Sequence, residues 1–221
     1  MKTIFHPADS RGHANHGWLD SHHTFSFANY HNPQRMNFGV LRVLNDDIVQ
    51  GGMGFGAHPH RDMEIISIPL EGDLEHQDST GVKGVIQKGE IQVMSAGKGV
   101  QHSEYNHNAD RDVKFLQIWV FPREVGVDPR AEQISIKDGE KINDFQQIVS
   151  PNPEDEGVWI HQEGNGVYVF VIKGSAKIGN QELNKRDGFG IWDTESFHLE
   201  ATEDSEILLM EVPMNLPEYL K

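Results

Sequence analysis

Two stretches decide how this chain folds: Gly52-Met53-Gly54-Phe55-Gly56-Ala57-His58-Pro59-His60-Arg61-Asp62-Met63-Glu64, and Ser95-Ala96-Gly97-Lys98-Gly99-Val100-Gln101-His102-Ser103-Glu104-Tyr105-Asn106. The first carries His58-Pro59-His60 and the second His102-Ser103-Glu104, each a pair of metal-ligating side chains one residue apart. In an extended strand, residues i and i+2 point to the same face. Each stretch, if extended, therefore offers two ligands on one side. Two such strands lying close in a small barrel bring all four inside it. Three imidazoles and one carboxylate suit a borderline divalent ion such as Fe, Mn, Ni, Co or Zn. An octahedral ion with four protein donors keeps two positions open for substrate, oxygen or water, whereas a closed tetrahedral zinc site is structural.

A lone His-x-His on a protein surface is often idle. Here two pairs occur, the second ends in an acid, and glycines precede both. Glycine permits close backbone approach and unusual angles at the mouth of a site. The Gly52–Gly56 pattern superficially suggests a phosphate loop, but it lacks the following Lys-Ser/Thr and a strand–helix setting.

Outward from these motifs, the chain reads as all-β. Short β-rich runs recur: Phe38–Leu44, Met63–Leu70, Val85–Met94, Val113–Phe121, Val167–Ile172, Phe189–Trp192 and Glu206–Val212. Turn signals separate them, at Asn45-Asp46-Asp47, Glu71-Gly72-Asp73, Thr80-Gly81, Lys88-Gly89, Lys173-Gly174, Ile178-Gly179-Asn180 and Asp187-Gly188. Helical periodicity is weak throughout. Regular short strands of this kind predict antiparallel sandwiches or barrels. Residues 122–157 differ, with Pro122, Pro129, Pro151, Pro153 and the acidic cluster Glu154-Asp155-Glu156, and read as a crossover between two β units. A weak internal echo supports two units: Ile68–Gly72 then Leu74 resembles Phe170–Gly174 then Ala176. Pro213–Lys221 reads as a short helix or a tail.

Composition narrows the function. The 221 residues hold 19 Lys plus Arg against 34 Asp plus Glu, a formal charge of −15. Nucleic acid and anionic membrane both call for a basic face, so neither is an expected partner. The absence of cysteine excludes disulfides, thiolate zinc, iron–sulfur clusters and a cysteine nucleophile. The opening Met1–Ser10 has no apolar core of a signal peptide. The longest strongly apolar run, Val167–Ile172, is far too short to span a bilayer. The expectation is a cytoplasmic protein. Of 13 histidines, 11 fall in residues 1–110, which places any metal site in the front half.

The two opening stretches also carry a resemblance. Gly52 to Gly72 is similar to the first cupin motif, a glycine, five residues, then His-x-His with a later Glu and Gly; the gap from Glu64 to Gly72 is one residue longer than the general pattern. Ser95–Asn106 is similar to the second, a His followed four residues later by Asn. The specific form, HPHRDMEI with AGKGVQHSE, resembles the pirin family. Arg11–Asp20 and His23–Asn29 are similar to bacterial members of it. The likeness is strong over about the first 125 residues and loose beyond.

That resemblance implies a bicupin: two tandem cupin (jelly-roll) barrels, with a metal-binding domain over 1–125 and a degenerate, metal-free domain over 126–221. It implies metal ligands His58, His60, His102 and Glu104 for one divalent ion, Fe(II), with Zn, Mn, Ni, Co or Cu as alternatives. The implied activity is quercetin 2,3-dioxygenase: cleavage of a flavonol by dioxygen with release of carbon monoxide, Glu104 acting as both ligand and base. A monomer is expected. The competing reading is a regulatory protein that binds a transcription factor or metabolic enzyme through a metal-dependent surface, the flavonol reaction being incidental; a structural zinc cupin is the third.

The remaining polar residues receive quieter expectations. Glu64 stands at the usual cupin Glu position and is expected near the ligands without binding the ion. His13, His16, His22 and His23 read as structural or surface residues. His76 and Asp78 read as a polar strand face, and Met53, Phe55 and Phe115 as core. His161 and His198 form no ligand pair.

Overall fold

The computed structural model describes residues 1–136, 143–150 and 163–221. Pro151, Pro153, the acidic cluster 154–156 and His161 lie outside the described residues. Among the described residues there are eighteen strands and two 3-10 turns, with no α-helix. The strands are β1 (Lys2–His6), β2 (Gly12–Asn15), β3 (Leu19–His23), β4 (Leu41–Val49), β5 (Gly54–His60), β6 (Glu64–Glu71), β7 (Asp73–Asp78), β8 (Lys83–Gln87), β9 (Glu90–Ser95), β10 (Val100–Asn106), β11 (Val113–Val120), β12 (Arg130–Ser135), β13 (Asn165–Lys173), β14 (Ala176–Ile178), β15 (Gln181–Leu183), β16 (Gly188–Trp192), β17 (Leu199–Ala201) and β18 (Glu206–Pro213).

They form two compact units. One comprises His13–His22 with the described residues of 44–160. The other comprises Met1–Gly12, His23–Val43 and the described residues of 161–221. The units thus interleave along the sequence. Among the described residues no sheet closes into a barrel in its hydrogen bonding.

The unit that holds both histidine motifs is a sandwich. A seven-stranded sheet, β12-β9-β6-β11-β4-β3-β2, faces a four-stranded sheet, β5-β10-β7-β8. Alternation puts Ile65, Met94, Ala96 and Val100 in one buried cluster, and Leu19, Val49, Leu74, Ile86, Val113 and Phe115 in another. Burying a side chain of this size stabilises by roughly 1.5–3 kcal/mol, so these clusters hold the two sheets together.

The other unit pairs β1-β16-β13-β18, with the small sheet β15-β14-β17. Its interior is apolar: Val167, Val169, Val171, Ala176, Ile178, Leu183, Phe189 and Ile191 form one buried cluster. His198 of this unit is exposed.

Four sequence expectations need correction. Asn45-Asp46-Asp47, read as a turn, lies in the middle of β4, with Asn45 and Asp47 buried. The Asp47 carboxylate accepts a hydrogen bond from the buried Ser21 hydroxyl on β3, so polarity here marks an internal bond rather than a chain reversal. The run Val85–Met94 is two strands, broken at Gly89 (φ 88°). Met53 is exposed, not core. His76 and Asp78 are buried, not a solvated face. Pro213–Lys221 resolves into the end of β18 and a single 3-10 turn, Glu218–Leu220.

Candidate metal centre

Strand pairing builds the site. β5 and β10 are antiparallel neighbours, with His102 opposite His58 and Val100 opposite His60. Directly opposed residues share a face, so His58, His60, His102 and Glu104 all project to the same side. A register shift between His102 and Glu104 places Glu104 opposite Phe55, leaving one extra residue on β5. Gly54 makes this close approach possible, because a Cβ there would sit 2.3 Å from the Glu104 carbonyl oxygen. Pro59 lies on β5 at the edge of its sheet, where proline is tolerated. Gly97 (φ 46°) turns the chain ahead of β10, with room for a Cβ denied by the Val127 carbonyl.

The imidazoles of His58, His60 and His102 converge. Their ring centroids are 4.4–4.8 Å apart. His58 Nε2 and His102 Nε2 are 2.9 Å apart. His58 Nδ1 lies 2.9 Å from the Gly56 carbonyl, which can only accept. That bond puts a proton on Nδ1 and turns Nε2 toward its neighbours. Two histidine nitrogens at adjacent positions on an ion, each at about 2.0–2.1 Å, stand about 2.9 Å apart. Burial and the neighbouring rings lower His60 to about 3, and burial followed by His58 lowers His102 to about 4. Both are therefore neutral near pH 7, as ligation requires. The three nitrogens fit a divalent metal ion.

Glu104 is set further back. Among the described residues, one group of metal-capable atoms lying within 4.8 Å of one another consists of these three histidines, without Glu104. The Glu104 carboxylate is buried, with Oε2 3.9 Å from His102 Nε2. The Gln117 amide of β11 donates to Oε2 at 2.9 Å and to Oε1 at 3.1 Å. The Ser67 hydroxyl of β6 lies 3.1 Å from Oε1 and 2.8 Å from the Gln117 amide oxygen. Burial raises the Glu104 pKa, against the lowering effect of Gln117.

A polar ring surrounds these groups. β7 pairs with β10 so that His76 faces Glu104 and Asp78 faces His102. Asp78 is tied down by the backbone amides of Thr80 and Val82. His60 packs edge-on to Trp119 at 4.9 Å, and Phe55 sits 6.5 Å from His58 and 5.3 Å from Trp18. Glu64 accepts from Ser95 at 2.5 Å. Of the other front-half histidines, His23 is buried against Phe27 and Tyr30. Gln117 and Ser67 carry no motif and sequence reading missed them. Their only signal is a polar residue at an inward position of an otherwise apolar strand.

A double cupin with three clustered histidines belongs to the metal-site class of that fold. Comparison with known proteins narrows this. Residues 4–120 match the Pirin family and residues 162–212 match the Quercetinase C-terminal cupin domain. The chain belongs to the pirin family. It is 42% identical to quercetin 2,3-dioxygenase of Escherichia coli strain K12, over 93% of this chain and 96% of that protein. A pirin-like protein of Caulobacter vibrioides is 35% identical over 93% of this chain and 97% of its own length. The crystal structure of the bacterial pirin YhhW from Escherichia coli in complex with nickel(II) matches with TM-score 0.86 and 40% identity, covering 96% of this chain and 99% of that one. The fold is thus the expected bicupin, and its histidine cluster suits a divalent metal. No helix among the described residues is long and apolar enough to cross a membrane.

Proposed function

We propose that this protein is a metal-dependent dioxygenase that cleaves flavonols such as quercetin, releasing carbon monoxide. His58, His60, His102 and Glu104 hold one divalent ion, and Fe(II) is the ion we assign; the same donors accept Zn, Mn, Ni, Co or Cu. The metal and the chemistry fall to the domain within 1–125, and the domain within 126–221 binds none. All four ligands come from one chain, so a monomer suffices.

The observation that carries this reading is the convergence of three imidazoles beside a buried carboxylate that is short of solvation. When bound, the ion supplies a Lewis acid that makes a flavonol hydroxyl more acidic. Glu104 would take that proton, since its carboxylate stands beside His102. Gln117 and Ser67 keep the carboxylate oriented while it does so. Trp119 packs on His60, and Phe55 lies beside both His58 and Trp18, which puts aromatic surface next to the imidazoles for a flat ring to pack on.

The test is oxygen uptake and carbon monoxide release with quercetin, on protein reconstituted separately with Fe, Ni, Mn, Co, Cu and Zn. Turnover that tracks metal occupancy, highest with Fe(II), is the expected result. Absence of turnover with every metal at full occupancy overturns the enzymatic reading.

A further inference from the structure

We propose a second divalent-cation site on the outer face of the β2–β3 hairpin, formed by His13, Asp20 and His22. It stands apart from the histidine motifs and does not depend on the dioxygenase reading.

The hairpin repeats, on a solvent face, the strand logic of the three-histidine site. In β3, Leu19, Ser21 and His23 are buried, while Asp20 and His22 alternate outward. His13 comes from the neighbouring strand β2, at the edge of the seven-stranded sheet. His13 Nε2 lies 2.9 Å from Asp20 Oδ1, and His22 Nδ1 lies 3.5 Å from the same oxygen. The two imidazoles are stacked, with centroids 4.5 Å apart and planes 20° from parallel. One ligand atom from each of the three residues lies within 4.8 Å of the others. The Asn15 amide donates to Asp20 Oδ2 at 3.1 Å and fixes the carboxylate with Oδ1 toward the rings.

An exposed His–Asp pair on its own contributes little to stability. A single pair would also not need a second imidazole aimed at the same oxygen. Two imidazoles and one carboxylate are the donor set of Zn, Ni, Co and Cu, not of Mg or Ca, which prefer oxygen. Three protein donors leave the remaining positions to water. The side chains are 36–51% exposed, so the ion exchanges freely and binds more weakly than at the three-histidine site. The chain then takes up two ions in excess metal, of which one belongs to the cupin interior.

Native mass spectrometry and equilibrium dialysis with Ni²⁺ or Zn²⁺ alone test this, at neutral pH and with excess Mg²⁺ present. Wild type is expected to bind two ions per chain, one of them weakly. The double variant His13→Gln/His22→Gln keeps the face polar and should bind one, with unchanged circular dichroism and Tm. His58→Ala/His102→Ala should retain only the weak ion, and the combined variant none. Single-variant controls His13→Gln and His22→Gln should each weaken the second equivalent. One ion in wild type, or two in the His13→Gln/His22→Gln variant, overturns the proposal.

Discussion

Replacing Glu104 by Gln separates ligation from base catalysis. The side chains are nearly isosteric, and Gln117 can still donate to the amide oxygen at position 104. The carboxylate is buried, and burial raises its pKa, so holding its charge costs folding energy. The uncharged amide removes that cost. The metal-free variant should therefore melt no lower than wild type. Activity should move the other way. An amide cannot take a proton, and general-base catalysis typically contributes about 10²–10⁴-fold. Single-turnover flavonol cleavage should fall by that factor at matched metal occupancy, established by metal analysis of each sample. Glu104→Asp should lie between, since its shorter side chain draws the carboxylate back from the His58–His102 pair. Near-complete metal loading of Glu104→Gln with a rate within a few-fold of wild type would refute the reasoning. Glu104 would then be a ligand at most, with the base elsewhere.

Further outcomes follow from the same geometry. His58→Ala and His102→Ala should lose the tightly held metal, while His198→Ala retains it, read by metal analysis after dialysis. Gly54→Ala pushes a methyl group into the Glu104 carbonyl and should destabilise by about 1–3 kcal/mol in denaturant titration, as overpacking does; it should also weaken metal binding by moving β5 off β10. His6 is buried with its pKa lowered to about 4, chiefly by desolvation, and its Nδ1 is 2.7 Å from the Tyr168 hydroxyl. Its folded pKa lies below its unfolded value, so its contribution is complete above pH 6.5 and is lost as pH falls toward 4. Between pH 7 and 5 that loss amounts to about 2 kcal/mol. Urea midpoints should fall by correspondingly less over this range in His6→Gln, which keeps a hydrogen-bonding group for Tyr168 without titrating there.

The convergence of His58, His60 and His102 was legible because one-residue spacing in a strand is a geometric statement: His58-Pro59-His60 and His102 need only extended backbone and adjacent pairing to meet. Two all-β units were legible from the short β runs and a weak internal echo, whereas their being cupins followed from the resemblance carried by the two histidine motifs. Asn45 and Asp47 misled because composition marks polar residues as turns, whereas burial with a partner such as Ser21 turns the same polarity into internal structure. His76 and Asp78 misled for a like reason, since their partners lie on β10 and around Thr80 and Val82. Gln117 and Ser67 could not be singled out, because their role exists only once β6 and β11 face β10. The affiliation of Met1–Gly12 and His23–Val43 with the C-terminal segments was also hidden, since it depends on pairings between residues far apart in the chain.

The first of those pairings sets an order on biosynthesis. Thr3 pairs with Ile191 and Phe5 with Phe189, so β1 leaves the ribosome long before its partner β16 is made. Until then the β1 segment has an unpaired backbone and an unshielded Phe5, a state open to wrong partners and to proteases. Closing so long a loop late makes this the slow, topology-limited part of folding. A tag or fusion that stiffens the segment around Lys2–His6 should therefore lower the yield of folded protein even where it leaves the metal centre untouched. Emergence of β16 from the ribosome would then govern how much of the chain reaches its native state.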